Sequence, residues 1–290
     1  MRANRPSTGF FSLSTLALFS LLTACGGGEE SSPEADASST TSAEAPEAPA
    51  GLTEAMRAAA SEEHLVPSPG EMQAAMSSAG IQTTMASLVS TREMDMSNPN
   101  KDHIAVRTGV VLADLLLTVS DADKADTVSR FKQIREGLSV LKAGEDLPRE
   151  IDDLIERIEA DSLTGDKLVF ELDQLRAAVI PEISYEADWT LPMLQAGAWL
   201  EGAHLVSQAL GDDPNGAGTA LLKQPEVVDY FLRYVQEEGE GRAESPVLDT
   251  LKATLSKIKE ICSKDAMSAD DIKAIHESTG VVLDLLLKRG

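Results

Sequence analysis

From Gly51 onward, apolar residues recur at steps of three and four, the spacing that lines one face of an α-helix. Ser68-Pro69-Gly70-Glu71 combines an N-cap, a proline at the first helical position and a capping-box acid, and predicts a helix running to about Thr91. Ile104, Thr108, Val111, Leu115 and Val119 form a stripe on a segment apolar enough to be central. Val128, Phe131, Ile134, Leu138 and Leu141 form a cleaner one, with Arg130, Lys132 and Glu136 opposite. Asp146 and Pro148 open a short helix carrying Ile151, Leu154, Ile155 and Ile158. Leu168, Leu172, Leu175 and Val179 make another, expected to close at Pro181.

A long apolar segment, Tyr185–Leu210, is expected to kink or split near Pro192 and to end in the turn Gly211–Gly216. Three further helices follow. One carries Val228, Phe231 and Val235 after Pro225. The next starts at Pro246 and carries Leu248, Leu251, Leu255, Ile258 and Cys262. The last is capped by Ser268 and Asp271 and carries Ile272, Ile275, Thr279, Leu283 and Leu286. Alternating strand patterns are essentially absent, so the fold class is all-α. It is a multi-helix bundle of about nine helices, built as one packed unit or as two or three repeated sub-bundles.

The repeat option has a specific motivation. Thr108-Gly109-Val110-Val111-Leu112-Ala113-Asp114-Leu115-Leu116-Leu117 recurs as Thr279-Gly280-Val281-Val282-Leu283-Asp284-Leu285-Leu286-Leu287, one alanine shorter, and Ala196-Gly197-Ala198-Trp199-Leu200 is a fainter third copy. Glycine inside a helix costs about 1 kcal/mol relative to alanine, so its presence calls for a reason; close approach of two helices is the simplest. Asp114 and Asp284 sit among leucines as buried polar anchors or as edge carboxylates.

The first fifty residues follow a different pattern. Arg2 and Arg5 precede the apolar run Phe10–Leu22, which is too short to span a bilayer and reads as a signal-peptide core. Leu22-Thr23-Ala24-Cys25 then resembles the lipobox of bacterial lipoproteins. The resemblance covers residues 1–25 and implies diacylglyceryl attachment to the Cys25 thiol, cleavage after Ala24 and acylation of the new amino terminus. Gly26 stands where that family's inner-membrane retention signal has an aspartate, which implies outer-membrane sorting, facing the periplasm or the cell surface. Two or more acyl chains anchor stably where one binds marginally.

Gly26–Ala50 holds six acids, three prolines, no base and no large apolar residue, the composition of a disordered spacer. The expected organisation is therefore a signal peptide at 1–24, a lipidated cysteine and acidic linker at 25–50, and a helical domain at 51–290.

Charge and cysteine content narrow the options. The chain carries 25 Lys+Arg against 48 Asp+Glu, a net charge of -23 that deepens to -25 once residues 1–24 leave with Arg2 and Arg5. Such an excess excludes nucleic acid as a partner, because a phosphate backbone needs a basic footprint. Mean hydropathy is -0.11. With Cys25 lipidated, Cys262 is left as a buried small hydrophobe with no intramolecular disulfide partner.

No nucleotide-binding glycine loop, nucleophile elbow, HExxH or CxxC pair occurs. The richest window is 182–204, which gathers Tyr185, both tryptophans (Trp189 and Trp199), four carboxylates and His204 in a chain otherwise poor in aromatics. Two readings stand side by side there: an aromatic ligand pocket of Tyr185, Trp189, Trp199 and His204, or core filling beside Gly197. Glu201 and His204, at i and i+3, could offer two metal ligands from one helix face, or form a simple ion pair. Gly202-Ala203-His204 also resembles the start of the GxHxxE motif of the helical imelysin-like lipoproteins, but Ser207 occupies the glutamate position, so that site does not carry over.

The sequence thus points to a membrane-anchored, periplasm-facing helical lipoprotein of the cell envelope. It would act by binding or scaffolding rather than catalysis, with no cofactor beyond the lipid on Cys25. Its expected partners are the bilayer and other envelope proteins or a small molecule. A small-molecule carrier or sensor, and a metal-binding protein or metal-dependent hydrolase around Glu201 and His204, are the alternatives.

Overall fold

The computed structural model describes residues 76–287 except 82–84, 90–91, 99, 188–189, 212–213, 215 and 238–244. The expected signal peptide, Cys25 and the expected linker lie outside the described residues, as do Ser68–Glu71. All described residues belong to one compact unit.

Among the described residues there are nine α-helices and no strand: α1 Lys101–Thr118, α2 Lys124–Leu141, α3 Asp146–Glu159, α4 Gly165–Ala187, α5 Leu191–Leu210, α6 Gly216–Leu222, α7 Pro225–Glu237, α8 Pro246–Cys262 and α9 Ala269–Leu287. The all-α bundle read from the sequence is the fold observed. No described helix is long and apolar enough to cross a membrane.

Local chemistry fixes most helix starts. The Asn100 side chain accepts from the backbone N–H of Asp102 and His103 to open α1, and Asp123 and Ser245 cap α2 and α8 in the same way. Ser268 and Asp271 form a reciprocal capping box: Asp271 N–H donates to Ser268 Oγ at 3.2 Å, and Ser268 N–H donates to Asp271 Oδ2 at 3.0 Å.

α1 and α5 are buried on almost every side and form the axis of the bundle. α1 packs along α5 and α2, α2 along α3, α5 against α9, and α8 against both α7 and α9. Phe131 on α2 and Phe231 on α7 are fully buried and anchor the core on either side of this axis. Ahead of α1, residues 92–98 form an irregular strap. Met94 and Met96 are buried in the core, and Met94 N–H donates to Gln133 Oε1 at 2.8 Å.

The glycines explain how the axis closes. A Cβ on Gly109 would lie 1.9 Å from the Leu194 carbonyl oxygen, and one on Gly197 would lie 2.1 Å from that of Val106. Two backbones cross there with no room for a methyl group. Gly280 belongs to the same sequence pattern but packs less tightly, its virtual Cβ 3.4 Å from the His204 ring.

Aligned on Thr108 and Thr279, which both donate to the carbonyl four residues earlier, the missing alanine moves Asp284 one position relative to Asp114. That is about 100° around the helix. Asp114 is therefore buried and Asp284 exposed.

Three expectations change. The helix expected to reach Thr91 has its described turn, residues 76–78, closed at Gly80. Gly80 adopts φ 72°; its N–H meets Ser77 O and the Ile81 N–H meets Met76 O, a glycine C-cap, and only a short 3₁₀ turn, Met85–Ser87, follows. α4 runs through Pro181 to Ala187 instead of ending there. Proline's fixed φ is compatible with a helix, at the cost of one backbone hydrogen bond and of crowding against the carbonyl four residues earlier. The segment around Pro192 splits as expected, with Pro192 in the first turn of α5. Arg130, expected on the solvent face of α2, is buried and donates to Thr118 Oγ1 at 3.2 Å. The short helix α6 was not legible in the glycine-rich sequence that forms it.

Candidate functional site

The polar interior is organised around α5. Glu201 is wholly buried on the side of α5 that meets α1, opposite the equally buried Asp114. Both carboxylates are held by Arg92 from the strap. Arg92 Nη2 lies 3.0 Å from Asp114 Oδ1 and Nε 3.3 Å from Asp114 Oδ2, and Nη2 also forms an ion pair with Glu201 Oε1. The two carboxyls thus converge on one guanidinium nitrogen, Arg92 Nη2. Glu201 Oε2 has no hydrogen-bond partner among the described residues.

Burial, and next to it the neighbouring Asp114 charge, push the Glu201 carboxyl well above the usual carboxylate range. Burial also raises Asp114, against the pull of Arg92. For Arg92 the order reverses: burial works to lower it, yet Glu201 and Asp114 together raise it.

His204 points away from this cluster, toward α9. Its ring stacks on His276 with centroids 4.2 Å apart, and Nδ1 lies 3.0 Å from Thr279 Oγ1. The Thr279 hydroxyl donates to Ile275 O at 2.9 Å, so its oxygen accepts from His204 Nδ1–H. Burial, then the adjacent His276, push His204 down to about 4.

Trp199 faces a third direction. It packs on Phe231 of α7 at 6.3 Å between centroids and donates from Nε1 to Gln224 Oε1 at 2.8 Å. One turn before it, the buried amide of Gln195 has, among the described residues, a partner for neither its nitrogen nor its oxygen.

The structure therefore separates residues that the sequence window had gathered. Trp199 and His204 lie five positions apart, about 140° around α5, and serve different interfaces. Trp189 lies outside the described residues, and Tyr185 lies on α4 with its side chain outside them. Glu201 and His204 do not pair: the glutamate is bound by Arg92 and the histidine by Thr279. No group of three or more His, Cys, Asp or Glu side chains placed to hold a metal occurs among the described residues.

Three participants escaped the sequence reading. Arg92 sits in an irregular segment without periodicity. Gln195 lies within an apolar helix. Arg107 is buried on α1, where its Nε donates to Leu286 O at 2.9 Å and its Nη1 to Asp95 O at 2.6 Å, fastening the end of α9 and the strap to the axis. The detectable signal was Asp114 and Glu201, two acids in otherwise apolar helices that demanded a buried cation without saying which.

An open groove of about 590 Å³ runs along α2, but its charges already close on neighbours, Lys132 on Glu159 at 3.1 Å and Lys124 on Asp161 at 2.8 Å. Cys262 is buried, with its thiol pushed up by burial and directed at Leu222 O. Comparison of the chain with known protein families, with characterised proteins and with solved structures finds no match.

Proposed function

We propose that the protein is a lipid-anchored helical module of the bacterial cell envelope that works by binding or scaffolding, with Cys25 as its point of attachment. The observation that carries this reading is the order of basic start, thirteen-residue apolar core and Leu-Thr-Ala-Cys in residues 1–25. The acidic linker sets the body off the bilayer, at roughly 25–30 Å for a flexible chain of that length. The use of Asp114, Glu201, His204 and Arg107 inside the bundle supports a body built to hold a shape. Growth with labelled palmitate tests the anchor: label enters the wild-type chain, and Cys25→Ser abolishes labelling and releases the protein to the soluble fraction. Equal fractionation of both forms refutes it.

A small-molecule carrier is the second reading, favoured by one feature. The Gln195 amide, buried and unbonded one turn from Trp199, offers a donor and an acceptor beside an aromatic surface. Tyr185, Trp189 and His204 were grouped with Trp199 for the same role, and of these His204 faces elsewhere. Tryptophan fluorescence and thermal shift against a metabolite panel test it. A ligand that raises the melting temperature of the wild type and leaves Gln195→Leu unmoved supports the carrier, and a panel with no such ligand counts against it.

A further inference from the structure

An ionised carboxylate can only accept hydrogen bonds, so two carboxylates in contact are satisfied only when a proton lies between them. Glu201 and Asp114 converge in the middle of the bundle on one nitrogen, Arg92 Nη2. Glu201 forms its ion pair with Arg92 at Oε1 and has no hydrogen-bond partner for Oε2 among the described residues, while Asp114 already accepts two Arg92 nitrogens. Fully ionised, Arg92, Asp114 and Glu201 by themselves leave one negative charge in excess at a buried place, where ions lose most of their hydration.

Of the surrounding charges, Arg130 from α2 acts on Asp114 as the weakest of the influences on it, and its described hydrogen bond goes to Thr118 rather than to either carboxylate. From α9, His276 and Asp284 act on His204, three residues along α5 from Glu201. On α4, Arg176 pairs with Asp173, and on α7 Arg233 pairs with Asp229, which also binds Lys259 of α8.

We propose that Asp114 and Glu201 share a single proton, so that Arg92, Asp114 and Glu201 form a neutral, proton-binding clamp joining the strap, α1 and α5 beside the glycine crossing. The proton sits on Glu201 Oε2 and is donated to Asp114, and Arg92 balances the one remaining charge. Such a pair takes up or releases its proton as a unit.

Infrared absorption at pH 7 of the full chain carrying Cys25→Ser, which has no lipid ester carbonyl absorbing in the same region and serves as the wild type for this measurement, tests this directly. Solvated carboxyls are ionised at that pH, so a protonated-carboxyl C=O band reports a buried acid. The wild type should show the band. Glu201→Gln and Asp114→Asn should each lose it, because either leaves one carboxylate facing Arg92 alone. No band in the wild type, or a band that survives both substitutions, overturns the proposal. Should neither variant fold, wild-type protein carrying carbon-13 in the glutamate or the aspartate side chains decides: the band moves to lower frequency with at least one label, and a band unmoved by both overturns the assignment.

Discussion

Replacing Gly109 by alanine isolates the closest contact in the bundle. The added methyl would sit 1.9 Å from Leu194 O, 2.8 Å from Leu194 C and 2.9 Å from Ala198 N, all backbone atoms that no rotamer change can move. Ordinary contact begins near 3.4 Å, so the α1–α5 crossing must open by about 1.5 Å at that point. Overpacking of a rigid core costs about 1–3 kcal/mol or somewhat more, and a backbone-to-backbone clash belongs at the upper end. Alanine returns about 1 kcal/mol through helix propensity. The expected net loss is about 2 kcal/mol.

For a domain of this size that loss lowers the melting temperature by about 4–8 °C. Gly202 is the internal control. It lies in the same helix as Gly197 with nothing within 4 Å of its virtual Cβ, so Gly202→Ala gains the propensity term alone, about 0.5–1 kcal/mol. Urea and thermal unfolding of the two variants beside the wild type give the signs. A Gly109→Ala protein as stable as the wild type would show that the axis is not closed at this crossing, and the packing argument would fall.

Other expectations follow from the polar interior. Gln195→Met removes an unbonded buried amide at similar volume and should stabilise by about 1–2 kcal/mol in chemical denaturation, and a loss of that size instead would reveal a partner for the amide. Arg107→Met strips donors from Leu286 O and Asp95 O and should cost about 2–4 kcal/mol, with hydrogen exchange accelerating in residues 92–98 and at the end of α9; protection unchanged in both places would refute its fastening role. Stability should also vary with pH in two opposite limbs. His204 is depressed to about 4 in the fold, so its contribution, up to about 3 kcal/mol, is present above the unfolded value of 6.5 and is lost as pH falls toward 4; His204→Asn should flatten that acid limb in melts across pH 4–7. Glu201 is raised, so its contribution is full below the ordinary value of 4.5 and declines as pH rises through the folded one, and Glu201→Gln should flatten the alkaline limb only.

Helix positions were legible because burial on one face writes a period into the chain, and α2, α3, α7, α8 and α9 all follow their stripes. Where the period failed, a single local feature decided. Gly80 ended a helix at a positive φ that no hydrophobic stripe reveals, and Pro181 was read as a stop although its ring tolerates helical φ. The glycine pattern correctly located the α1–α5 crossing, since only close approach repays two glycines in buried helices. It overstated Gly280, which shares the motif without the contact.

The interior charges were half visible. Asp114 and Glu201 stood out among leucines and alanines, but their cation lies 22 residues before Asp114 in a segment without periodicity. His204 is separated from Trp199 by about 140° around α5, and from its i, i+3 neighbour Glu201 because Arg92 takes the glutamate and Thr279 the histidine. Its true neighbours, His276 and Thr279, arrive from a helix 72 and 75 residues away.

The central claim concerns how the mature chain begins and what it carries there. Mass spectrometry of the N-terminal peptide from membrane-extracted protein tests it most directly. The expected result is a chain that starts at Cys25, with a diacylglyceryl group on its sulfur and an acyl group on its nitrogen. A chain that retains residues 1–24, or one that starts elsewhere with Cys25 unmodified, would contradict it.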